Sequence, residues 1–148
     1  MPSRTGFVAT PLAEYAAADH DEMPKGWLAY ESNTPGVDVI GTSLTTISSI
    51  AFTCAADRLI KVLARGSSAD LGGDAIDGYC SIYEGGTDLG RVYRHADGAT
   101  DGYMSGWIIV NGPSAGTHTY LLRGDTSAGD FGFFGAVQLL VEDIGPAS

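Results

Sequence analysis

The chain has few basic residues, only two cysteines and no long apolar run. Lysine and arginine together number 8 against 18 aspartates and glutamates, which gives a formal net charge of −10. Nucleic-acid binding depends on basic side chains that displace counterions, and anionic membranes attract basic segments. No run reaches the length of a membrane-spanning helix, and the first residues contain no apolar region of the signal-peptide kind. We therefore expect neither nucleic acid nor a membrane as a partner.

The two cysteines, Cys54 and Cys80, form no C-x-x-C motif and lie near no pair of histidines. The sequence therefore contains no zinc-binding pattern. Both cysteines lie within apolar runs, which favours two buried thiols in a reducing compartment. A cross-strand disulfide is the alternative.

Glycine, by contrast, is abundant, with 21 residues that are scattered rather than periodic. From Trp27 onward, short apolar or alternating runs are separated by pairs typical of turns. These pairs include Gly72-Gly73, Asp77-Gly78, Gly85-Gly86 and Asn111-Gly112. About eight short strands at a spacing of roughly 8–12 residues are typical of a β-sandwich or barrel. We predict an all-β, antiparallel, jelly-roll-like β-sandwich over residues 27–148.

Residues 1–26 differ from the rest and are predicted to form an N-terminal arm, extended or briefly helical. They hold three of the six prolines, an alanine cluster and the acidic run "DHDEM". No amphipathic stripe would anchor a helix here. The residues from Asp19 to Glu22 include oxygen and imidazole ligands, but contiguous residues rarely converge on one ion. An exposed acidic arm without a metal is the expectation.

The last apolar run is unusual because both of its faces are partly apolar. Val137, Leu139 and Val141 share one face, and the opposite face carries Leu140 between Gln138 and Glu142. A strand that is apolar on both sides needs a cover on each side. In a chain of this size, a neighbouring subunit is a candidate for the second cover.

The stretch "GPSAGTHTYLLRG", residues 112–124, raises the question of an active-site loop. A phosphate-binding loop would need a lysine and a following helix, and both are missing. A catalytic His118 would need a nucleophile and an orienting carboxylate, and the sequence marks out neither. We therefore predict no enzyme, no catalytic residue and no cofactor.

The same stretch is instead predicted to be a turn that leads into a strand. Alternation places Tyr120 and Leu122 toward the core, and we expect Trp107 and Ile109 near them. The residues between them, Leu121 and Arg123, would then lie on the opposite face.

Contacts with partners are predicted at the apolar and basic residues that the core does not require. The segment "GDFGFFGAV" interleaves glycine with phenylalanine, which fits either a kinked strand at a subunit contact or core filling around a bulge. The segment "GRVYRHADG" holds a small basic cluster that could meet an acidic partner, or be a solvated hairpin end. The predicted contact residues are Leu121, Arg123, Phe131, Phe133, Phe134, Leu140, Arg91 and Arg94.

Five segments resemble a known group of proteins: "GWLAYES", "ISSIAFTCAADRLIKV", "SIYEGGTDLGR", "PSAGTHTYLLRG" and "LLVEDIGPA". Together they are similar to small virion structural proteins of tailed bacteriophages that infect actinobacteria, of the minor tail or capsid decoration type. The resemblance extends from Trp27 to Pro146. The chain departs from the pattern at Cys54 and at Asp57-Arg58-Leu59, where the pattern has alanine-glycine-arginine. It also departs at "GDFGFFGA", where others carry small polar residues.

The resemblance implies a non-enzymatic β-sandwich on a virus particle, which forms a symmetric oligomer, a trimer. Its partners would be further copies of itself and the major capsid or tail proteins, after assembly in the host bacterial cytoplasm. The alternative is a carbohydrate-binding module for host adsorption at the tail tip. Exposed aromatic rings at Trp107, Tyr103 or Tyr93 would be its platform.

Overall fold

Short runs of alternating apolar and polar residues form the strands, with glycine, aspartate and asparagine between them. The computed structural model describes residues 25–33, 40–96 and 101–147, with the backbone alone described at residues 72–76. Within these ranges the chain forms eight strands: β1 (Gly26–Asn33), β2 (Thr45–Cys54), β3 (Arg58–Ile76), β4 (Gly78–Glu84), β5 (Thr87–His95), β6 (Asp101–Asn111), β7 (Gly116–Asp125) and β8 (Ala128–Pro146).

The strands form two four-stranded antiparallel sheets. The strand order is β1-β8-β3-β6 in sheet A and β2-β7-β4-β5 in sheet B. The antiparallel pairs β1 with β8, β2 with β7, β3 with β6 and β4 with β5 are those of one long hairpin. Rolling that hairpin up divides its strands between two sheets, which is the jelly-roll arrangement. The predicted all-β sandwich of about eight strands is confirmed.

The core lies between the two sheets and includes the apolar face of the last run that alternation predicted. Sheet A contributes Ile60, Val62 and Ala64 from β3 and three residues from β8, all fully buried. The three from β8 are Val137, Leu139 and Val141. Burial of each such aliphatic side chain stabilises the fold by about 1.5–3 kcal/mol.

Tyr120 and Leu122 are fully buried in sheet B, as predicted. The expectation that Trp107 and Ile109 lie near them is wrong, because these side chains are 55% and 45% exposed. They belong to β6, which is in sheet A, and their positions on the strand face outward. Alternation identified the two faces of this strand but not which of them faces the core.

Turn chemistry is confirmed at three of the predicted breaks. Asp77, Gly85 and Gly112 have φ values of 47°, 59° and 63°, in the left-handed region that aspartate and glycine tolerate. The prediction of a turn at Gly72-Gly73 is wrong, because β3 continues to Ile76 and pairs with β8 through an irregular register.

Gly106 allows the edges of the two sheets to close on each other between β5 and β6. A Cβ atom at this position would lie 1.8 Å from the carbonyl oxygen of Val92. Because that contact is with backbone, no side-chain rotation could relieve it. Glycine is therefore required here by the close approach of two strands.

Cys54 and Cys80 are both free and buried, in agreement with the favoured interpretation. No helix long and apolar enough to cross a membrane occurs among the residues that the structure covers. Residues 1–24 of the predicted arm, including the acidic run, lie outside the described residues.

Candidate functional site: the outer face of sheet A

The predicted contact residues do not form one patch. Phe131 and Phe133 are 0% and 2% exposed, so their prediction as contact residues is corrected. Their rings fill the core beside a register shift between β3 and β8, and the segment therefore fits core filling around a bulge. Phe134 faces the opposite way and is half exposed.

The remaining predicted contact residues divide between the two outer faces. Phe134 and Leu140 lie on the outer face of sheet A, whereas Leu121, Arg123 and Arg91 lie on sheet B. Arg94 lies apart from both groups and forms an exposed ion pair with Asp77 at 2.8 Å.

Exposed aromatic side chains flank the outer face of sheet A. Trp27 and Tyr30 stand on β1 at one edge and are 69% and 52% exposed. Trp107 and Tyr103 stand on β6 at the other edge and are 55% and 63% exposed. The edges are three strand spacings apart, about 14 Å. Exposed apolar patches of this kind mark interaction sites.

Strand register arranges this face in rows that cross the sheet. One row runs from Tyr30 through Leu140 and Leu63 to Trp107, and is wholly aromatic and aliphatic. The next row toward one end of the sheet contains Trp27, Glu142, Lys61 and Ile109. On the other side, Gln138 faces Arg65.

These rows form a groove with an amphipathic floor. The groove has a volume of ≈ 470 Å³ and is lined by Trp27, Tyr30, Lys61, Leu63, Arg65, Gln138, Leu140 and Glu142. The Lys61 ammonium lies 3.5 Å from the Glu142 carboxylate and 5.8 Å from the centre of the Trp107 ring. Arg65 is exposed, and it forms no ion pair with another residue in the described ranges. The groove therefore combines aromatic walls with donors and acceptors on its floor.

The outer face of sheet B has a different chemistry. Arg91 stacks on the ring of Tyr79 with its guanidinium carbon 3.6 Å from the ring centre, and Arg123 lies 5.5 Å from the ring centre of Tyr83. Arg123 also donates a hydrogen bond to the Thr46 hydroxyl at 3.1 Å. We call these four stacked residues the tyrosine–arginine cluster.

The aspartate of the terminal "VEDIGP" segment, Asp143, forms a buried ion pair with Arg58. Asp143 accepts hydrogen bonds from Arg58 Nε at 2.9 Å and Nη2 at 2.8 Å, and from the Gly145 amide at 3.0 Å. Burial alone raises the pKa of Asp143, but the hydrogen bonds from Arg58 and Gly145 outweigh it and lower the pKa below its ordinary value. Asp57, which precedes Arg58, adopts a φ of 56°, in the left-handed region that aspartate tolerates.

The histidine of the "AGTHTY" segment has a carboxylate partner that the sequence did not reveal. His118 is 8% exposed, and its Nδ1 lies 2.6 Å from Glu84 Oε1 while its Nε2 lies 2.8 Å from the carbonyl oxygen of Ser114. Glu84 comes from β4, 34 residues away in sequence, so only strand pairing could have identified it. The hydrogen bond with Glu84 raises the pKa of His118, Ser114 adds to the effect, and burial opposes it. Because both ring nitrogens contact acceptors, His118 binds the loop before β7 to sheet B instead of presenting a free base.

Tyr93 is unsuitable as a glycan platform because its hydroxyl points into the interior. It lies within hydrogen-bonding distance of the Ser68 hydroxyl and 3.2 Å from Nδ1 of His95, which is fully buried and stacks on Phe131. Of the three rings predicted as platforms, Trp107 and Tyr103 are exposed. Within residues 25–33, 40–96 and 101–147, no group of three or more metal-ligating side chains occurs.

No model of a known protein family matches the chain, and no curated protein matches it. Among solved structures it is similar to infectious bursal disease virus Gx strain, with 17% identity over 82% of this chain and a TM-score of 0.43. It is similar to CBM35 from Cellvibrio japonicus Abf62, with 13% identity over 80% of this chain and 91% of that chain, at a TM-score of 0.37. It is also similar to a mutant VP2 protein of infectious bursal disease virus, with 14% identity over 85% of this chain and a TM-score of 0.37. The aligned regions span 30% and 36% of the two viral chains. Likeness at this level carries no information about function.

Proposed function

We propose that the chain is a non-enzymatic accessory component of a virus particle, on the capsid or the tail. The observation that carries the proposal is the place of the motif residues in the jelly roll. Asp143 of the "VEDIGP" segment and His118 of the "AGTHTY" segment both make contacts that hold strand ends and loops together. The residues that this chain shares with the virion proteins it resembles therefore stabilise the fold, as expected of a structural protein. Jelly rolls are a common fold of viral capsid domains, although a fold alone does not fix a function.

We further propose that copies of the chain assemble into a symmetric oligomer, a trimer, through the outer face of sheet B. Leu121 lies beside the tyrosine–arginine cluster on this face, opposite Tyr83 in the register. Tyrosine and arginine are enriched in protein interfaces, where they supply large contact areas and directed hydrogen bonds.

Light scattering on the purified protein tests the assembly. Leu121→Asp on sheet B should give monomers, whereas Leu63→Asp on the outer face of sheet A should leave the oligomer intact. A wild-type protein that remains monomeric at high concentration contradicts the proposed oligomer.

Location on a particle is tested by electron microscopy of virions labelled with an antibody against the chain, together with copy number by quantitative mass spectrometry. Hundreds of copies place the protein on the capsid, and a handful place it on the tail. Absence from purified virions would overturn the proposal of a virion component.

The groove on sheet A favours a second function, recognition of a glycan at the host surface. Aromatic walls over a floor with donors and acceptors suit a ligand with apolar ring faces and many hydroxyl groups. Binding of oligosaccharides, followed by the fluorescence of Trp27 and Trp107, tests this function. If no glycan changes that fluorescence, the second function fails while the first remains open to its own test.

A further inference from the structure

We propose that the groove on sheet A binds an acidic saccharide, with the sugar ring against the aromatic walls and its carboxylate on Arg65. The inference rests on the second proposed function, glycan recognition, and names the class of glycan. Three features of the groove support it.

The first feature is the aromatic wall of the groove. Trp27 and Tyr30 line the groove on the β1 side, and Trp107 stands on β6 at the far end of the row that begins at Tyr30. All three side chains are more than half exposed. Large aromatic side chains lose favourable burial when they remain in water, so their exposure on one face calls for a ligand. The C–H face of a sugar ring is apolar and can stack on such rings while its hydroxyls point away.

The second feature is the mixed floor. The Lys61 ammonium supplies donors, the Glu142 carboxylate supplies acceptors, and the Gln138 amide supplies both. A sugar hydroxyl both donates and accepts hydrogen bonds, so it needs a surface of this kind. A purely aliphatic ligand would leave these groups unsatisfied, which carries a free-energy cost.

The third feature, which decides the class, is Arg65. Its side chain is exposed, lies across from Gln138 in the register and has no acidic neighbour in the rows that cross the groove beside it. The chain carries 18 acidic residues, yet the register places none of them opposite this guanidinium. A guanidinium binds a carboxylate through two parallel hydrogen bonds, which no neutral sugar substituent can match.

The dimensions of the groove favour a small ligand over a second copy of the chain. Its volume of ≈ 470 Å³ lies within the range of about 300–1,000 Å³ found for small-molecule sites. The rows between the walls span about 14 Å by roughly 16 Å, on the order of 220 Å², whereas a stable interface needs about 800 Å² per partner.

The two tryptophans make the experiment selective. The chain has only two tryptophans, Trp27 and Trp107, and both stand on this face. Protection of their fluorescence from quenching by acrylamide therefore reports on the groove. The probes are trigalacturonate, its methyl ester, which has the same rings without the charge, and neutral cellotriose. We expect trigalacturonate to protect the tryptophans and to bind at least about tenfold more tightly than the methyl ester, the factor that one added charged hydrogen bond provides.

Variants locate the binding. Arg65→Gln should reduce the affinity for trigalacturonate about tenfold, to that of the methyl ester, and leave the affinity for the ester unchanged. Tyr30→Ala, which removes a ring that lines the groove and keeps both tryptophans, should abolish binding while circular dichroism stays native. Arg94→Gln is the matched control, because Arg94 lies apart from both outer faces, and it should bind like the wild type.

The outcomes separate the inference from the function on which it rests. Equal affinity for trigalacturonate and its ester, unaffected by Arg65→Gln, overturns the acidic class but supports glycan recognition. If none of the three probes protects the tryptophans, the inference is overturned. If the tryptophans become protected as protein concentration rises without sugar, another copy covers this face and the inference is equally overturned.

Discussion

The guanidinium of Arg58 donates hydrogen bonds to both carboxylate oxygens of Asp143, at N–O distances of 2.9 and 2.8 Å. The side chains of Arg58 and Asp143 are only 4% and 3% exposed. The pair joins the beginning of β3 to the end of β8. The backbone of the same region adds two hydrogen bonds, from the Gly112 amide to the Arg58 carbonyl and from the Ala147 amide to the Asp57 carbonyl. One end of the sandwich is thus closed around a single buried ion pair.

Removal of the charge on Asp143 should destabilise the fold strongly. Asp143→Asn leaves the Arg58 guanidinium buried without a counter-charge, which costs about 3–5 kcal/mol. Glu142→Gln is the matched control, because Glu142 is the adjacent residue and forms a partly exposed pair with Lys61 at 3.5 Å, worth under about 1 kcal/mol. Urea unfolding measures both. Similar midpoints for the two variants would contradict the assigned role of the buried pair.

The His118–Glu84 contact should make stability depend on pH. The pKa of His118 is higher in the folded protein than its ordinary value of 6.5, chiefly through the hydrogen bond with Glu84. Its contribution to stability is therefore complete below pH 6.5 and is lost as pH rises through the folded pKa. The wild type should lose stability relative to His118→Gln as pH rises above 6.5 and through the raised pKa of His118, as measured by urea unfolding. The comparison cancels every other titrating group, and a difference that is constant over this range would refute the prediction.

Two tyrosines should respond in opposite directions to loss of their hydroxyl group. The Tyr120 hydroxyl is buried and has no hydrogen-bond partner among the described residues, so Tyr120→Phe should be neutral or stabilise the fold by up to about 1 kcal/mol. The Tyr93 hydroxyl contacts Ser68 and His95, so Tyr93→Phe should destabilise by about 1–3 kcal/mol. Thermal unfolding distinguishes them, and a loss of stability in Tyr120→Phe would show that its hydroxyl has a partner.

Gly106→Ala should destabilise the protein by about 1–3 kcal/mol or more, because its Cβ would overlap the Val92 carbonyl oxygen and force β5 and β6 apart. Gly86→Ala is the control, because a Cβ at Gly86 meets nothing within 4 Å. Denaturant unfolding measures the difference. If Gly106→Ala and Gly86→Ala cause equally small losses of stability, the edges of the two sheets are not in close contact.

The buried thiols should resist modification. Burial raises the pKa of Cys80, and the nearby Asp125 carboxylate raises it further, so the reactive thiolate is scarce at neutral pH. An aromatic disulfide reagent should therefore react with Cys80 only as fast as the protein unfolds, and with both cysteines in guanidinium. The Cys80→Ala variant shows how much of the observed modification occurs at Cys80, because only Cys54 can then react. Rapid modification of Cys80 in the native protein would contradict its burial.

Local features of the sequence determined the strands, most of the turns and the sets of residues that share a face. Alternation with a period of two fixes which residues share a face, so Val137, Leu139 and Val141 could be grouped from the sequence alone. Left-handed backbone at Asp77 and Gly85 follows likewise from residue type. These features depend on neighbours in sequence, which is why a single chain suffices to predict them.

The tertiary structure decided which face became the interior and which distant residues meet. Alternation cannot say whether Trp107 or Met104 faces inward, because that depends on the sheet to which β6 belongs. The groove on sheet A takes its aromatic wall from β1 and its floor from β3 and β8. Glu84 reaches His118 across a strand pair. Such contacts arise from the rolling of one long hairpin into two sheets, which no local pattern in the sequence specifies.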